Sequence, residues 1–190
     1  MPKYVAFLRA INVGGHTVKM DYLRTLFEGL GFSKVETFIA SGNVIFDSTS
    51  KSTKALEQKI ESCLLKALGY EVTTFIRSTA ELADIAQHQP FPDSGLNAAG
   101  HALYIGFMSN EPGAKAKQAL LSLVTKTDDF SLKGREVYWL LRTKFSDSRI
   151  SGALLAKTLG MPATLRNATT VKKLAAKYST LVLQTQAKGK

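Results

Sequence analysis

The sequence predicts an α+β protein made of two tandem ferredoxin-like (α/β-plait) units with antiparallel sheets. Three observations lead there. Apolar patterns of period 2 and period 3.6 alternate over residues 1–90 in the order β-α-β-β-α-β. A stretch rich in Pro, Gly, Asn and Asp follows, "QPFPDSGLNAAG", whose residues 91–100 read as a linker. The same order of elements then restarts over residues 101–190. The repetition is read in the order of elements and not in residue identity.

Each element has its own signal. "KYVAFLRAINV", residues 3–13, has the length and apolar content of a buried strand. In "KMDYLRTLFEGLGF", Met20, Leu23, Leu26, Phe27 and Leu30 recur at helical spacing and Gly31 closes the helix. "KVETFIAS" and "NVIFDS" are β-rich runs joined across Ser41-Gly42-Asn43, a hairpin signal. "STKALEQKIESCLLKALG" is an amphipathic helix with Cys63 beside its apolar stripe, read as a buried structural thiol. "YEVTTFIRS" is a strand, and "TAELADIAQHQ" a short helix started by Thr79 with Glu81 in its first turn. In the second half, "HALYIGFMS" is a strand and "PGAKAKQALLSLVTK" a helix. "DFSLKGREVYWLLR" is a hairpin turning at Lys133-Gly134, and "RISGALLAKTLG" and "TVKKLAAKYSTLVLQTQ" are helices.

Charge is distributed unevenly. The chain of 190 residues carries a net charge of +10. Residues 1–100 hold 10 Lys/Arg against 10 Asp/Glu, and residues 101–190 hold 15 against 5, so the whole excess lies in the second half. From Ser148 onward there are 8 basic residues and no acidic one. This asymmetry points to a polyanion or an anionic ligand, or to a solvated basic face. A single cysteine rules out an internal disulfide and a cysteine-zinc cluster. With no apolar run long enough for a membrane span or a secretory signal, the expected location is cytoplasmic, without membrane contact.

The βαββαβ order places two loops together. The first strand runs up, its helix returns, and the second strand runs up again, so the hairpin turn meets the exit of the first strand. Arg9, Asn12, Gly14, Gly15, His16, Ser41, Gly42 and Asn43 then crowd one edge, above the start of the helix opening near Met20. Glycines before a helix start let a ligand oxygen reach main-chain N–H groups, the logic of many anion sites. A tight turn uses glycines equally well, and a structural role is the competing reading. Arg9, on an apolar strand face, needs a partner: Asp47 is one candidate, an anionic ligand the other. The chemistry recurs in "TLRNATTVKKLAAKY", where Arg166 and Asn167 precede a helix capped by Thr169. Lys172 and Lys173 lie in its first turns, where the helix dipole disfavours cations.

"YVAFLRAINVGG", "IASGNVIF" and "LRNATTVKKL", with "IRSTAELADIAQHQPFP" between them, resemble the bacterial domain-of-unknown-function family 1697 over nearly the whole chain. The resemblance implies a cytosolic protein of two α/β-plait units and no established activity. Two departures matter. Where the family has Arg-Asn-Trp-Asn-Thr-Val, this chain has "RNATTV", losing the aromatic at Ala168. Where the family has Gly-Arg-Ser-Lys-Leu, this chain has "SDSRI", with Asp147 in place of a positive charge, which weakens phosphate binding at that corner.

Two functions compete. The first is binding of a small anionic ligand, phosphorylated or nucleotide-like, at the loop edge of the first unit, joined by Arg166, Asn167 and Lys172. The second is single-stranded nucleic-acid binding through the basic second half, with Phe7, Phe46, Tyr104, Tyr138 or Trp139 as stacking rings; burial of Phe7, Phe46 and Tyr138 removes that platform. No Ser-His-Asp order, carboxylate pair or metal cluster appears, His16, His88 and His101 being widely scattered. Whether the chain is an enzyme is left open, with His16 the available proton carrier. No cofactor and no metal are expected, and the sequence does not give the oligomeric state; a protein-interaction module is the background reading.

Overall fold

In the computed structural model, which describes residues 1–187 apart from 13, 40–41 and 93–98, and only the backbone from 179 onward, the chain forms two compact units. One is Met1–Leu82 with the stretch from Tyr178, the other Ala83–Lys177. The division therefore falls within a helix, whereas the sequence pattern puts a linker at 91–100. Most of that linker, 93–98, lies outside the described residues.

The first unit runs β1 (Lys3–Leu8), α1 (Met20–Gly29), β2 (Ser33–Thr37), β3 (Asn43–Asp47), α2 (Thr53–Leu68), β4 (Thr74–Ser78) and the start of α3 (Thr79–Gln87). Its sheet has the order β2-β3-β1-β4 with every neighbouring pair antiparallel. Tyr4, Ala6 and Leu8 of β1 point to one face, where Leu23 and Phe27 of α1 and Leu56, Ile60 and Leu64 of α2 close the core. Val5, Phe7, Ile45 and Phe75 point to the other face and are equally buried. Burial on both faces is why β1 reads as an unbroken apolar run instead of an alternation. Cys63, expected in the core, is half-buried.

The first strand stops at Leu8, and Val13, where the sequence pattern ends it, lies outside the described residues. Ala10 sits at φ 57, in the left-handed region, which breaks the pleat. The Leu8 N–H turns to the Gly42 carbonyl (2.8 Å) and the Arg9 N–H to the Thr73 carbonyl (2.9 Å).

β4 is an edge strand whose three outward N–H groups are all taken by carboxylates. Thr74 donates to Glu61 (2.8 Å), Ile76 to Glu57 (2.9 Å) and Ser78 to Glu81 (2.8 Å). Glu57 and Glu61, one turn apart on α2, thus seal an edge that would otherwise template another strand. Replacing Glu57 by Ala strips the buried Ile76 N–H of its acceptor and is expected to cost about 1–3 kcal/mol, with Glu57→Gln losing less; urea unfolding of the two variants measures both. Glu81 also accepts from the Ser78 hydroxyl, while that hydroxyl accepts from the Glu81 N–H (3.2 Å). This is a capping box, so the cap of α3 is Ser78 and not Thr79.

The second unit follows from the end of α3: β5 (Ala102–Met108), α4 (Ala114–Leu121), β6 (Asp128–Lys133), β7 (Glu136–Leu141), a 3-10 turn (Phe145–Asp147), α5 (Gly152–Leu159), β8 (Ala163–Asn167) and α6 (Ala168–Ala187). The sheet order is β6-β7-β5-β8, again antiparallel throughout. Trp139, Val137 and Leu141 of β7 face Leu120, Leu155 and Leu159 of α4 and α5. Strand registers repeat between the units. Tyr4 lies between Phe46 and Ser78, and Tyr104 lies between Trp139 and Asn167. Val5 lies between Ile45 and Arg77, and Ile105 between Tyr138 and Arg166. Once strands are aligned this way, "YVAFL" overlies "YIGFM". Tyr4 and Phe7 thereby match Tyr104 and Phe107, and the other aligned residues of these strands differ.

Candidate functional site

The turn after β1 and the β2–β3 turn meet in the first unit, as their topology requires. A Cβ on Gly42 would lie 2.7 Å from Ile11 Cγ2 and 3.1 Å from Leu8 Cβ, and Gly42 itself is at φ +73. Only glycine fits both the conformation and the contact. Gly14 (φ +65) and Gly15 (φ +86) differ: nothing lies within 4 Å of where their side chains would stand, and both are exposed.

The two asparagines of this edge are engaged in building it. The Asn12 carbonyl oxygen accepts from the Val18 N–H at 2.7 Å, tying the glycine turn to the approach of α1. Asn43 is fully buried and its amide donates to the Phe38 carbonyl at 2.9 Å, while the Phe38 N–H donates to the Asn43 carbonyl at 3.0 Å. His16 is exposed and stacks on the Tyr70 ring with centroids 4.0 Å apart; the Tyr70 hydroxyl in turn donates to the Ile11 carbonyl at 2.9 Å. Arg9, the residue after β1, is half-buried. It does not pair with Asp47, which binds Lys3 (2.7 Å) and Lys34 (3.5 Å) at the far end of β1, opposite Lys3. The α1 start has no side-chain cap, its N-cap being Lys19. Ser41 lies outside the described residues.

Arg166, Asn167 and Lys172 belong to the second unit. In its sheet Asn167 lies opposite Tyr104, at the start of β5, whereas Asn43 lies opposite Phe7 at the exit of β1. The two groups thus occupy opposite ends of their respective sheets. Arg166 is buried, and its guanidinium donates to the Thr164 hydroxyl and the Leu165 carbonyl, each at 2.9 Å. Burial lowers its pKa to about 10. Arg77 is the counterpart in the first unit, fully buried and donating to the Ile76 carbonyl at 2.8 Å. Each arginine bonds to a backbone carbonyl of its own strand. Asn167, not Thr169, caps α6: its side-chain oxygen accepts from the Thr169 N–H at 2.8 Å. In each unit the last residue of the fourth strand doubles as the cap, because the chain enters the helix with no intervening turn.

A cavity of about 580 Å³ opens beside this cap, lined by His88, His101, Asn167, Thr169 and Lys172 with Gln87 and Gln89. Sequence spacing separates the two histidines. The fold brings them together because His101 leads into β5, whose start faces the end of β8, and His88 follows α3. The pairing of β5 with β8, which sets Tyr104 opposite Asn167, brings His101 there, and residue spacing carries no sign of it. His88 also meets the Tyr138 ring edge-on at 4.9 Å. Burial, with Lys133 adding to it, holds its imidazole below the ordinary pKa.

Of the five rings offered for stacking, four are in the core and Tyr104 is half-buried. Phe7, Phe46, Tyr138 and Trp139 are all buried. Ser148, at the corner where phosphate binding was weighed, donates to Asp128 at 2.7 Å and is held there. Among the described residues no three of His, Cys, Asp and Glu gather as metal ligands would, and no helix is long and apolar enough to cross a membrane.

Residues 1–138 match the family described as a protein of unknown function, DUF1697. The chain belongs to that family. The match contains the whole loop edge of the first unit and ends within β7, so "RNATTV" and "SDSRI", where this sequence departs from the DUF1697 pattern, lie beyond it. A conserved bacterial protein from Streptococcus pneumoniae shares the fold, with a TM-score of 0.71 at 24% identity over 94% of this chain and 99% of its own. No curated protein is detectably similar to this DUF1697 chain.

Proposed function

We propose that this chain binds a small anionic ligand, phosphorylated or nucleotide-like, at the loop edge of its first unit, each unit being a ferredoxin-like plait. The observation that carries the reading is the packing of Gly42 against Leu8 and Ile11. It fixes the hairpin turn against the segment that leads from β1 into the Gly14-Gly15 turn, whose exposed main chain stands in left-handed conformation; Arg9 lies earlier in that segment and is half-buried. Main-chain N–H groups without side chains over them, in a loop that carries a half-buried arginine and leads to a helix start with no side-chain cap, favour an anion. Asn12 and Asn43 hold the frame, and Arg9, Gly14, Gly15 and His16 meet the ligand. The alternative, single-stranded nucleic acid on the basic second half, keeps its charge but has Tyr138 and Trp139 buried and only Tyr104 half-buried among its sheet rings.

Calorimetric titration with adenosine 5′-monophosphate and with pyrophosphate tests the reading. Removing one charged hydrogen bond by Arg9→Ala is expected to weaken binding by about tenfold or more. Equal affinity of wild type and Arg9→Ala for both probes contradicts it.

A further inference from the structure

We propose that the cavity of the second unit is a separate binding site for a phosphate monoester with a polar, sugar-like body, its phosphate held by Lys172 and His101. This site is independent of the loop edge of the first unit, and either stands without the other.

The lining sets the class of ligand. Lys172, His88, His101, Gln87, Gln89 and Asn167 line the cavity, and no carboxylate lines it among the described residues. Every formal charge that the described lining residues bring is positive. The Asn167 oxygen is occupied by the Thr169 N–H, which leaves the amide NH2 as its outward group. Lys172 is exposed and makes no ion pair among the described residues. Its place in the first turns of α6 is unfavourable for a cation by the helix dipole alone, and an anion in the cavity reverses that sign.

Size and polarity narrow the class further. About 580 Å³ lies within the range of small-molecule pockets and leaves room for an organic body beyond the phosphate. Among the described residues no Phe, Tyr or Trp lines the space, so a purine or other flat apolar body would have only the two imidazoles to stack on. Amides suit hydroxyl groups instead.

The chain's three histidines give a site-resolved test. Their imidazole C2–H signals are followed by NMR, assigned through His16→Gln, His88→Gln and His101→Gln, while ribose 5-phosphate is added to the full chain. The His101 and His88 signals are expected to shift with saturation and the His16 signal to stay. Lys172→Glu, a change at an exposed position, should weaken the effect by about tenfold or more. Unmoved His88 and His101 signals at millimolar ribose 5-phosphate overturn the proposal. So does an identical titration in Lys172→Glu. A shift of His16 alone also overturns it, while supporting the loop edge.

Discussion

Asp128→Ala is expected to destabilise the second unit by on the order of 3 kcal/mol, because a buried carboxylate that satisfies four donors disappears at once. Asp128 is 2% exposed. One oxygen accepts from the Ser148 hydroxyl (2.7 Å) and the Trp139 indole N–H (3.0 Å), the other from the Thr127 (2.8 Å) and Thr125 (3.0 Å) hydroxyls. Hydroxyls can rotate toward water, but the indole N–H is fixed in the core and is left without its acceptor. Charge adds a pH signature. Burial alone pushes the Asp128 pKa up; the bonds from Ser148, Thr127, Thr125 and Trp139 together overcome it and hold the folded value below the ordinary one. A group with a depressed folded pKa stabilises above its unfolded pKa of about 4 and loses that contribution as pH falls through the folded value. The stability gap between wild type and Asp128→Asn should therefore be widest at neutral pH and shrink in acid. Urea unfolding at pH 7 and pH 3 measures it; a gap that is the same at both would show that the carboxylate charge contributes nothing.

Gly42→Val is the second large loss, about 2–4 kcal/mol from left-handed strain and overpacking together. The new Cβ would meet Ile11 Cγ2 at 2.7 Å and Leu8 Cβ at 3.1 Å, neither of which is the free end of a long side chain. Gly14→Ala is the control: its φ is +65 but nothing lies within 4 Å, so only the backbone term of about 1 kcal/mol applies. Thermal unfolding ranks the two. Equal losses would mean that the two turns do not bear on one another, and the loop edge would lose its frame.

Much of this architecture was legible from period and punctuation. The alternation of strand and helix patterns gave the βαββαβ order, and that order alone placed the hairpin turn against the exit of β1. What stayed hidden depended on tertiary contacts. The caps of α3 and α6 fall on Ser78 and Asn167, one residue earlier than Thr79 and two earlier than Thr169, because a strand that passes straight into a helix uses its last residue for both. Arg9 has no reach to Asp47, since register puts Asp47 opposite Lys3 at the other end of the strand. Asn12 and Asn43 look like ligand groups in sequence and serve as framework, because a buried or looped amide first satisfies the nearest backbone. Arg166 reads as a basic ligand contact, yet it is turned onto its own strand as Arg77 is. His88 and His101 read as scattered, since only strand order tells that the start of β5 adjoins the end of β8.

The glycine region of an amide ¹H–¹⁵N NMR spectrum tests the central claim most directly. On addition of adenosine 5′-monophosphate, the Gly14, Gly15 and Gly42 amide signals should move together with saturation, and this movement should be lost in Arg9→Ala. If those three signals stay in place while the ligand is bound elsewhere or not at all, the first unit's loop edge is a structural turn and nothing more.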